Sequence, residues 1–401
     1  TTAPSYAAKT NATAIHAALR LDSDVPAFDA NGSLRSGVGA WRAALAGSGA
    51  SLAITADMRT GLATSADESD GGDGAAAFVL GDDTQAPVLA ELLAARSVTD
   101  EFTDRWRAPG ESRSKLWEER FGEVVYVAAG EQAWNAALKE AQLEADQITR
   151  VAVTGTHGRA VRSLSNKLGV AGDAKVDDLV ATIGNTGAAH PGMVLASVLD
   201  NAAPGQVVAL VVLADGADVF LFRVTDAIAS YARATTVAEQ IASSGPLPYG
   251  KFLSWKGMVS VEPPRRPEPA RPSSSAAHRR EDWKYAFVGS RDNTTGIIHL
   301  PPQRVGINGG AVDDMTEAPM ADARGTVVTF TVDRLAYSPS PPIVFAVVDF
   351  DGGGRMPVEL TDCDPGDVQI GTRVEMTFRR LFTADGIHNY FWKARPVRGG
   401  V

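Results

Sequence analysis

His157 has the widest chemical reach of any residue in this 401-residue chain. It sits in TGTHGRAV, just after a predicted strand and just before a predicted helix. A histidine at the C-terminal end of a strand faces the crevice where α/β sheets bind ligands. Its neutral imidazole can donate to a carbonyl oxygen or take up a proton. The competing reading is a loop histidine that satisfies a nearby carbonyl. Asn185 lies in GNTGAAH, a small-residue turn. Its amide can hydrogen-bond a polarised carbonyl, although an Asn beside Gly also serves as a plain turn residue. The third candidate is ADGAD, Ala214–Asp218, directly after VVALVVL. Backbone N–H groups in such a turn can line an oxyanion hole.

No nucleophile motif accompanies these residues. GxSxG is absent, and the single cysteine, Cys363, lies in ELTDCDPGD, where an exposed turn thiol is the preferred reading. His16, His157, His190, His278, His299 and His388 show no metal-type spacing, and there is neither a P-loop nor a GxGxxG.

The elements that must position these groups alternate. SLAITA (51–56), AAAFVL (75–80), VAVT (151–154) and VVALVVL (207–213) read as short buried strands. Between them lie helical stretches at 9–21, 37–45, 131–147 and 158–168, with Trp134, Ala137 and Leu138 on one side of the third. Such alternation predicts an α/β fold with covered sheets. Composition changes at VEPPRRPEPARPSSSAAHRR (261–280), a semi-extended linker or strap. Beyond it, 325–337, 343–350, 373–381 and 389–396 are rich in β-branched and aromatic residues and separated by turns such as DGGG and DPGD. That pattern predicts a small β-barrel.

Charge and cysteine count narrow the function classes. The formal net charge of −10 argues against wrapping nucleic acid or attaching to an anionic membrane, both of which need a basic face. One cysteine excludes an internal disulfide and a four-thiolate zinc site. There is no apolar run of about 18 residues, and Thr1–Thr10 lacks the build of a signal peptide. The expectation is a cytoplasmic, multidomain protein.

In order, these pieces resemble the thiolase superfamily, closest to 3-hydroxy-3-methylglutaryl-CoA (HMG-CoA) synthase and β-ketoacyl synthase III. TTAPSYAAKTNATAIHAALRL is similar to the segment preceding the family's nucleophile strand, and PAFDANGSLRSGVGAWRAALA to that strand and its helix. GGDGAAAFVLG resembles the glycine-rich turn and following strand, and FTDRWRAPGES the segment after it. The resemblance covers about residues 1–230 and implies that TGTHGRAV supplies an active-site histidine, His157, and GNTGAAH an asparagine, Asn185. It implies that His157 polarises a thioester carbonyl, that Gly187 and Gly216 border the substrate, and that coenzyme A thioester is the ligand, with no resident cofactor.

Two departures stand out. The position of the family's acyl-carrying cysteine falls on Leu34, with Ser33 and Ser36 nearby and no adjacent base visible for either. The family's opening strand–helix segment, which in the synthases carries a glutamate acid/base, has no counterpart before Thr1; the expectation is that it is removed or supplied by another chain.

The second part resembles the zinc-ribbon/OB-fold proteins that accompany acyl-CoA thiolases in bacteria and archaea, through RGTVVTFTVDRLAYSPSPPIVFAVVDFDGGGRMPVELTD and GTRVEMTFRRL…NYFWKARP. The family's four ribbon thiols would fall on Asp292, Thr295, Gly306 and Gly309, so no zinc is expected. OB barrels also bind single-stranded nucleic acid, for which Phe330, Tyr390, Phe391 and Trp392 are candidate platforms. The acidic balance favours the alternative that they are barrel core.

The expected architecture is thus a layered α/β thiolase-type domain over 1–258, a Pro/Arg/Ser-rich linker over 259–282, and a degenerate zinc ribbon with an all-β OB barrel over 283–401. Two functions compete. One is a subunit or scaffold that docks a thiolase partner; the other is an active acyltransferase that forms or cleaves C–C bonds. A homodimer through the thiolase-type domain is expected, with no nucleic-acid or membrane partner and no metal.

Overall fold

The computed structural model describes residues 1–111, 113–338 and 340–397. The chain divides into two compact units: Thr1–Ala7 with Ala30–Pro246, and Ala8–Asp29 with Leu247–Val401. No helix among the described residues is long and apolar enough to cross a membrane.

The first unit is built on a four-stranded sheet. Its elements are α1 (Arg35–Ala46), β1 (Ser51–Met58), β2 (Asp73–Leu80), β3 (Ala90–Thr99), α2 (Glu119–Ala141), β4 (Arg150–Gly155), α3 (Gly158–Ser165), α4 (His190–Asp200), β5 (Val207–Leu213) and β6 (Gly216–Val224). The sheet order is β3-β6-β5-β4, with β4 and β5 parallel and the other pairs antiparallel. β1 and β2 form a separate antiparallel pair, Ser51 opposite Leu80.

The continuous apolar run VVALVVL has a direct physical consequence. Side chains alternate across a strand, so Val207, Ala209, Val211 and Leu213 enter one core while Val208, Leu210 and Val212 enter another. The first core is capped by α2 and α3 through Tyr126, Val127, Trp134, Ala137 and Leu164. The second is capped by α1 and α4 through Val38, Trp41, Val194 and Leu195. Every β5 side chain is buried, and each large one contributes about 1.5–3 kcal/mol to holding the layers together.

Several elements differ from the sequence expectation. α2 begins at Glu119, twelve residues before the expected start at Glu131, and stops at Ala141 because Gln142 turns left-handed (φ +55°). β3 and β6 were not anticipated. β3 has a helix-like composition, but pairing with β6 along its length fixes it as a strand. Tertiary pairing outweighs local propensity there.

The second unit holds two sheets. β7 (Val288–Asp292), β8 (Ile298–His299) and β9 (Met315–Pro319) form a three-stranded antiparallel sheet with β7 central. β10 (Arg324–Asp333), β11 (Ile343–Phe350), β12 (Arg355–Glu359), β13 (Arg373–Ala384) and β14 (Ile387–Pro396) form a five-stranded antiparallel sheet in the order β12-β11-β10-β13-β14. The two edges are joined by one parallel bridge, Leu360 to Ala394.

The aromatic residues considered as platforms pack inward. Trp392 is buried, and its indole N–H donates to the Tyr285 carbonyl at 2.8 Å. Phe330 and Phe391 lie against the same core, and Tyr390 stacks on Phe378 at 5.6 Å. Cys363 is half-buried, not exposed: burial and the neighbouring Asp362, Asp364 and Asp367 push its thiol to about 11. It is therefore a poor nucleophile at neutral pH.

Candidate active site

A chain of contacts in the first unit draws the sequence-selected residues together. Leu34 occupies the N-cap of α1 with ordinary helical backbone, and its side chain joins the core of Val38 and Trp41. One turn on, Gly37 lets α1 approach the turn 187–189, since a Cβ there would stand 2.8 Å from the Ala188 carbonyl. The same turn is held by Asp57, whose Oδ2 accepts the Ala188 N–H at 2.7 Å.

Asn185 ties that turn to the histidine loop. Its Nδ2 donates to the Gly155 carbonyl at 3.0 Å, and its Oδ1 accepts the Gly187 N–H at 3.0 Å. Its side chain thus bridges the end of β4 and the small-residue turn.

Arg35, next to Leu34, secures the ADGAD turn. Its guanidinium donates to the Asp215 carbonyl at 2.7 Å, to the Val98 carbonyl at 3.0 Å and to Asp218 at 2.9 Å. Gly216 has φ +118°, and a Cβ there would lie 2.1 Å from the Val98 carbonyl, so no other residue fits. The Ala214 N–H closes the turn on the Gly216 carbonyl at 3.1 Å.

His157 is the N-cap of α3. Its Nδ1 accepts the Ala160 N–H at 3.1 Å, and its Nε2 donates to the Glu119 carbonyl at 2.8 Å. These partners assign the neutral tautomer with the proton on Nε2. Both ring nitrogens are therefore engaged with backbone, as the loop-histidine reading expects. A ligand carbonyl would have to compete with Glu119 for the Nε2 proton.

Two neighbours of His157 went unnoticed in the sequence. Tyr126 on α2 packs its ring 5.8 Å from the imidazole, and its hydroxyl donates to Asp104 Oδ1 at 3.4 Å. Asp104 is buried. Burial pushes its carboxyl above the ordinary aspartate range, against the pull of its own backbone and of His157. Burial, then the charges of Asp104 and Asp215, push the Tyr126 phenol well above its usual range. A protonatable carboxyl beside an imidazole and a phenol can hold or pass a proton. The available signal was an acidic residue in FTDRW, within a stretch already resembling the synthases; Tyr126 gave none, since a tyrosine in an apolar helix reads as core.

Hydrogen bonds thus tie Asn185 to Gly155 and Gly187 and Arg35 to the turn at Gly216, while His157 is held by Glu119 and Ala160 with Tyr126 packed beside it. Among the described residues no group of three or more His, Cys, Asp or Glu side chains is arranged to hold a metal ion.

Comparison with known proteins finds likenesses of two kinds. Residues 317–379 match the family model of the ChsH2 C-terminal OB-fold domain. A DUF35 domain-containing scaffold protein from Methanocaldococcus jannaschii is 28% identical over 119 residues, 28% of this chain and 84% of the relative. A hydroxymethylglutaryl-CoA synthase from Methanosphaera stadtmanae is 28% identical over 265 residues, 64% of this chain and 76% of the relative. A crystal structure of HMG-CoA synthase complexed with CoA shares the fold at a TM-score of 0.51 and 17% identity, covering 62% of this chain and 68% of that one. The chain thus joins a thiolase-superfamily domain of the HMG-CoA synthase type to a C-terminal OB-fold domain of the ChsH2/DUF35 type.

Proposed function

We propose that this protein handles coenzyme A thioesters as a subunit or scaffold of a thiolase-type acyltransferase assembly, and that it does not itself carry the acyl group. One feature supports the reading: the resemblance assigns the family's reactive thiolate to the position of Leu34, and that side chain is packed into the core at the N-terminus of α1. A helix N-terminus favours a thiolate electrostatically, but an isobutyl side chain cannot be acylated. Ser36 Oγ accepts the Ser33 N–H at 3.2 Å, a backbone partner with no basicity to lend. Without a nucleophile the reaction cannot be split into acylation and transfer.

In this reading a thioester oxygen displaces the Glu119 carbonyl from His157 Nε2, while Asn185, Gly187 and Gly216 shape the wall. The OB-fold domain docks a thiolase-like partner; the relative named as a scaffold protein supports that role. β2 lies at an edge of its two-stranded sheet with Val79 exposed, which supports pairing with a second copy as a homodimer. The protein works in the cytoplasm, binds no nucleic acid and needs no resident cofactor.

A second reading has a specific observation in its favour. The buried Asp104, its carboxyl pushed up by burial, beside Tyr126 and His157 suits an active acyltransferase of the HMG-CoA synthase type. Radiolabelled acetyl-CoA separates the two. The parent is expected to remain unlabelled and Leu34→Cys to trap acetyl on the new thiol. Equal labelling of both, or turnover by the isolated parent, overturns the scaffold reading. A stoichiometric co-purifying protein that carries the reactive cysteine supports it.

A further inference from the structure

Asp292 occupies the first position at which the resembling ribbon proteins carry a zinc thiolate. It ends β7 and is fully buried. Its Oδ1 accepts the N–H groups of Thr294 and Thr295 at 2.8 and 2.9 Å. Its Oδ2 accepts the Ala311 N–H at 2.9 Å. One carboxylate therefore holds the turn after β7 and the distant loop 306–311, the two segments that a zinc ion would otherwise bind together.

The residues present do not fit the metal. Zinc in a structural site takes four donors, with oxygen about 2.0–2.2 Å away. Gly306 and Gly309 have no side-chain donor, and Thr295 offers only a hydroxyl. The space is also closed: a Cβ at Gly306 or Gly310 would stand 1.8 or 1.9 Å from Asp292 Oδ2. Both glycines fit because the loop backbone comes right up to the carboxylate.

We propose that this ribbon is a metal-free one in which the buried Asp292 carboxylate, hydrogen-bonded to Thr294, Thr295 and Ala311, replaces the zinc ion as the link between the two loops. A carboxylate suits the role because charge-assisted hydrogen bonds are stronger than neutral ones, and three donors converge on its two oxygens. The loss of four thiols is then compensated within the chain, and the ribbon's fold is independent of metal supply and redox state.

The test uses the whole chain. Elemental analysis of protein purified without chelator is expected to give less than about 0.1 zinc per chain, against the one ion of an intact four-ligand site. Neither EDTA nor added zinc should move the melting temperature. In hydrogen exchange the parent's Ala311 amide should be protected although it lies outside regular strands. Asp292→Asn, similar in shape but uncharged, should speed exchange at Thr295 and Ala311 by at least about tenfold, with Val327 in β10 unchanged. About one chelatable zinc per chain, an unprotected parental Ala311, or exchange in Asp292→Asn within about twofold of the parent would overturn the proposal. If the variant does not fold, the zinc content and parental exchange decide alone.

Discussion

Asp218→Asn removes one charge from a buried cluster while keeping the side chain's shape. Asp218 is 1% exposed, and its Oδ2 and Oδ1 accept from Arg35 Nε at 2.9 Å and Arg42 Nε at 3.2 Å. The Ser97 hydroxyl donates to the same carboxylate. Arg42 also lies 5.4 Å over the Phe220 ring, and its Nη2 is buried without a hydrogen-bond partner. The amide leaves two guanidinium groups facing a neutral side chain. Breaking a buried ion pair costs about 3–5 kcal/mol because the remaining charge stays desolvated. Side-chain exposures of 18% for Arg35 and 34% for Arg42 let water share the load, so the lower end applies, about 3 kcal/mol. No cavity term is added, since Asn and Asp have nearly equal volume. The assay should read the first unit alone, because a two-unit chain need not unfold in one step. Hydrogen exchange at Val219 in β6 does so, and about 3 kcal/mol corresponds to roughly 150-fold faster exchange when exchange follows opening of the sheet. Adding Arg42→Met should recover part of the loss by removing the surplus cation. An acceleration below about fivefold, under roughly 1 kcal/mol, would mean that the cluster is screened like a surface pair and would refute the reasoning.

Asp104 predicts a pH dependence of stability. Its folded-state carboxyl titrates above its unfolded value, so between the two the native state binds the extra proton. Stability therefore falls as pH rises from the ordinary aspartate value of about 3.9 up through the raised one, and then levels off. Melting temperatures of parent and Asp104→Asn from acid to neutral pH should show this decline in the parent and a smaller one in the variant; parallel profiles would contradict it. Gly216→Ala should cost more than about 2 kcal/mol, since it combines an unfavourable positive φ with a Cβ 2.1 Å from a backbone oxygen. Unchanged thermal unfolding of the first unit would count against the strained turn.

The sequence by itself determined the elements whose burial is independent of their partners. VVALVVL is short, rich in valine and apolar at every position, which favours a strand covered on both faces, and β5 has those bounds. β11 was legible for a related reason: its buried and less buried positions alternate with the period of two that a half-covered strand requires. Trp134, Ala137 and Leu138 could be assigned to one buried helix side from spacing alone. That Leu34 cannot be a thiolate was equally a matter of residue identity, true in any fold.

What the sequence left open depends on groups far apart in the chain. The helix-like AELLAARSVT became β3 because its backbone pairs along one flank with β6, which begins more than a hundred residues later. Asp104, Tyr126 and His157 come from a loop, a helix and a helix cap, and no spacing rule links them; only the packing of α2 beside the end of β4 sets the carboxyl, phenol and imidazole together. Asp292 gives the clearest contrast. Its identity alone left its role open, since a carboxylate can be exposed, paired or buried. The approach of the backbone at Gly306, Gly310 and Ala311 decided that it would be a buried acceptor joining two loops, because burying it required three N–H donors that only the tertiary fold could supply.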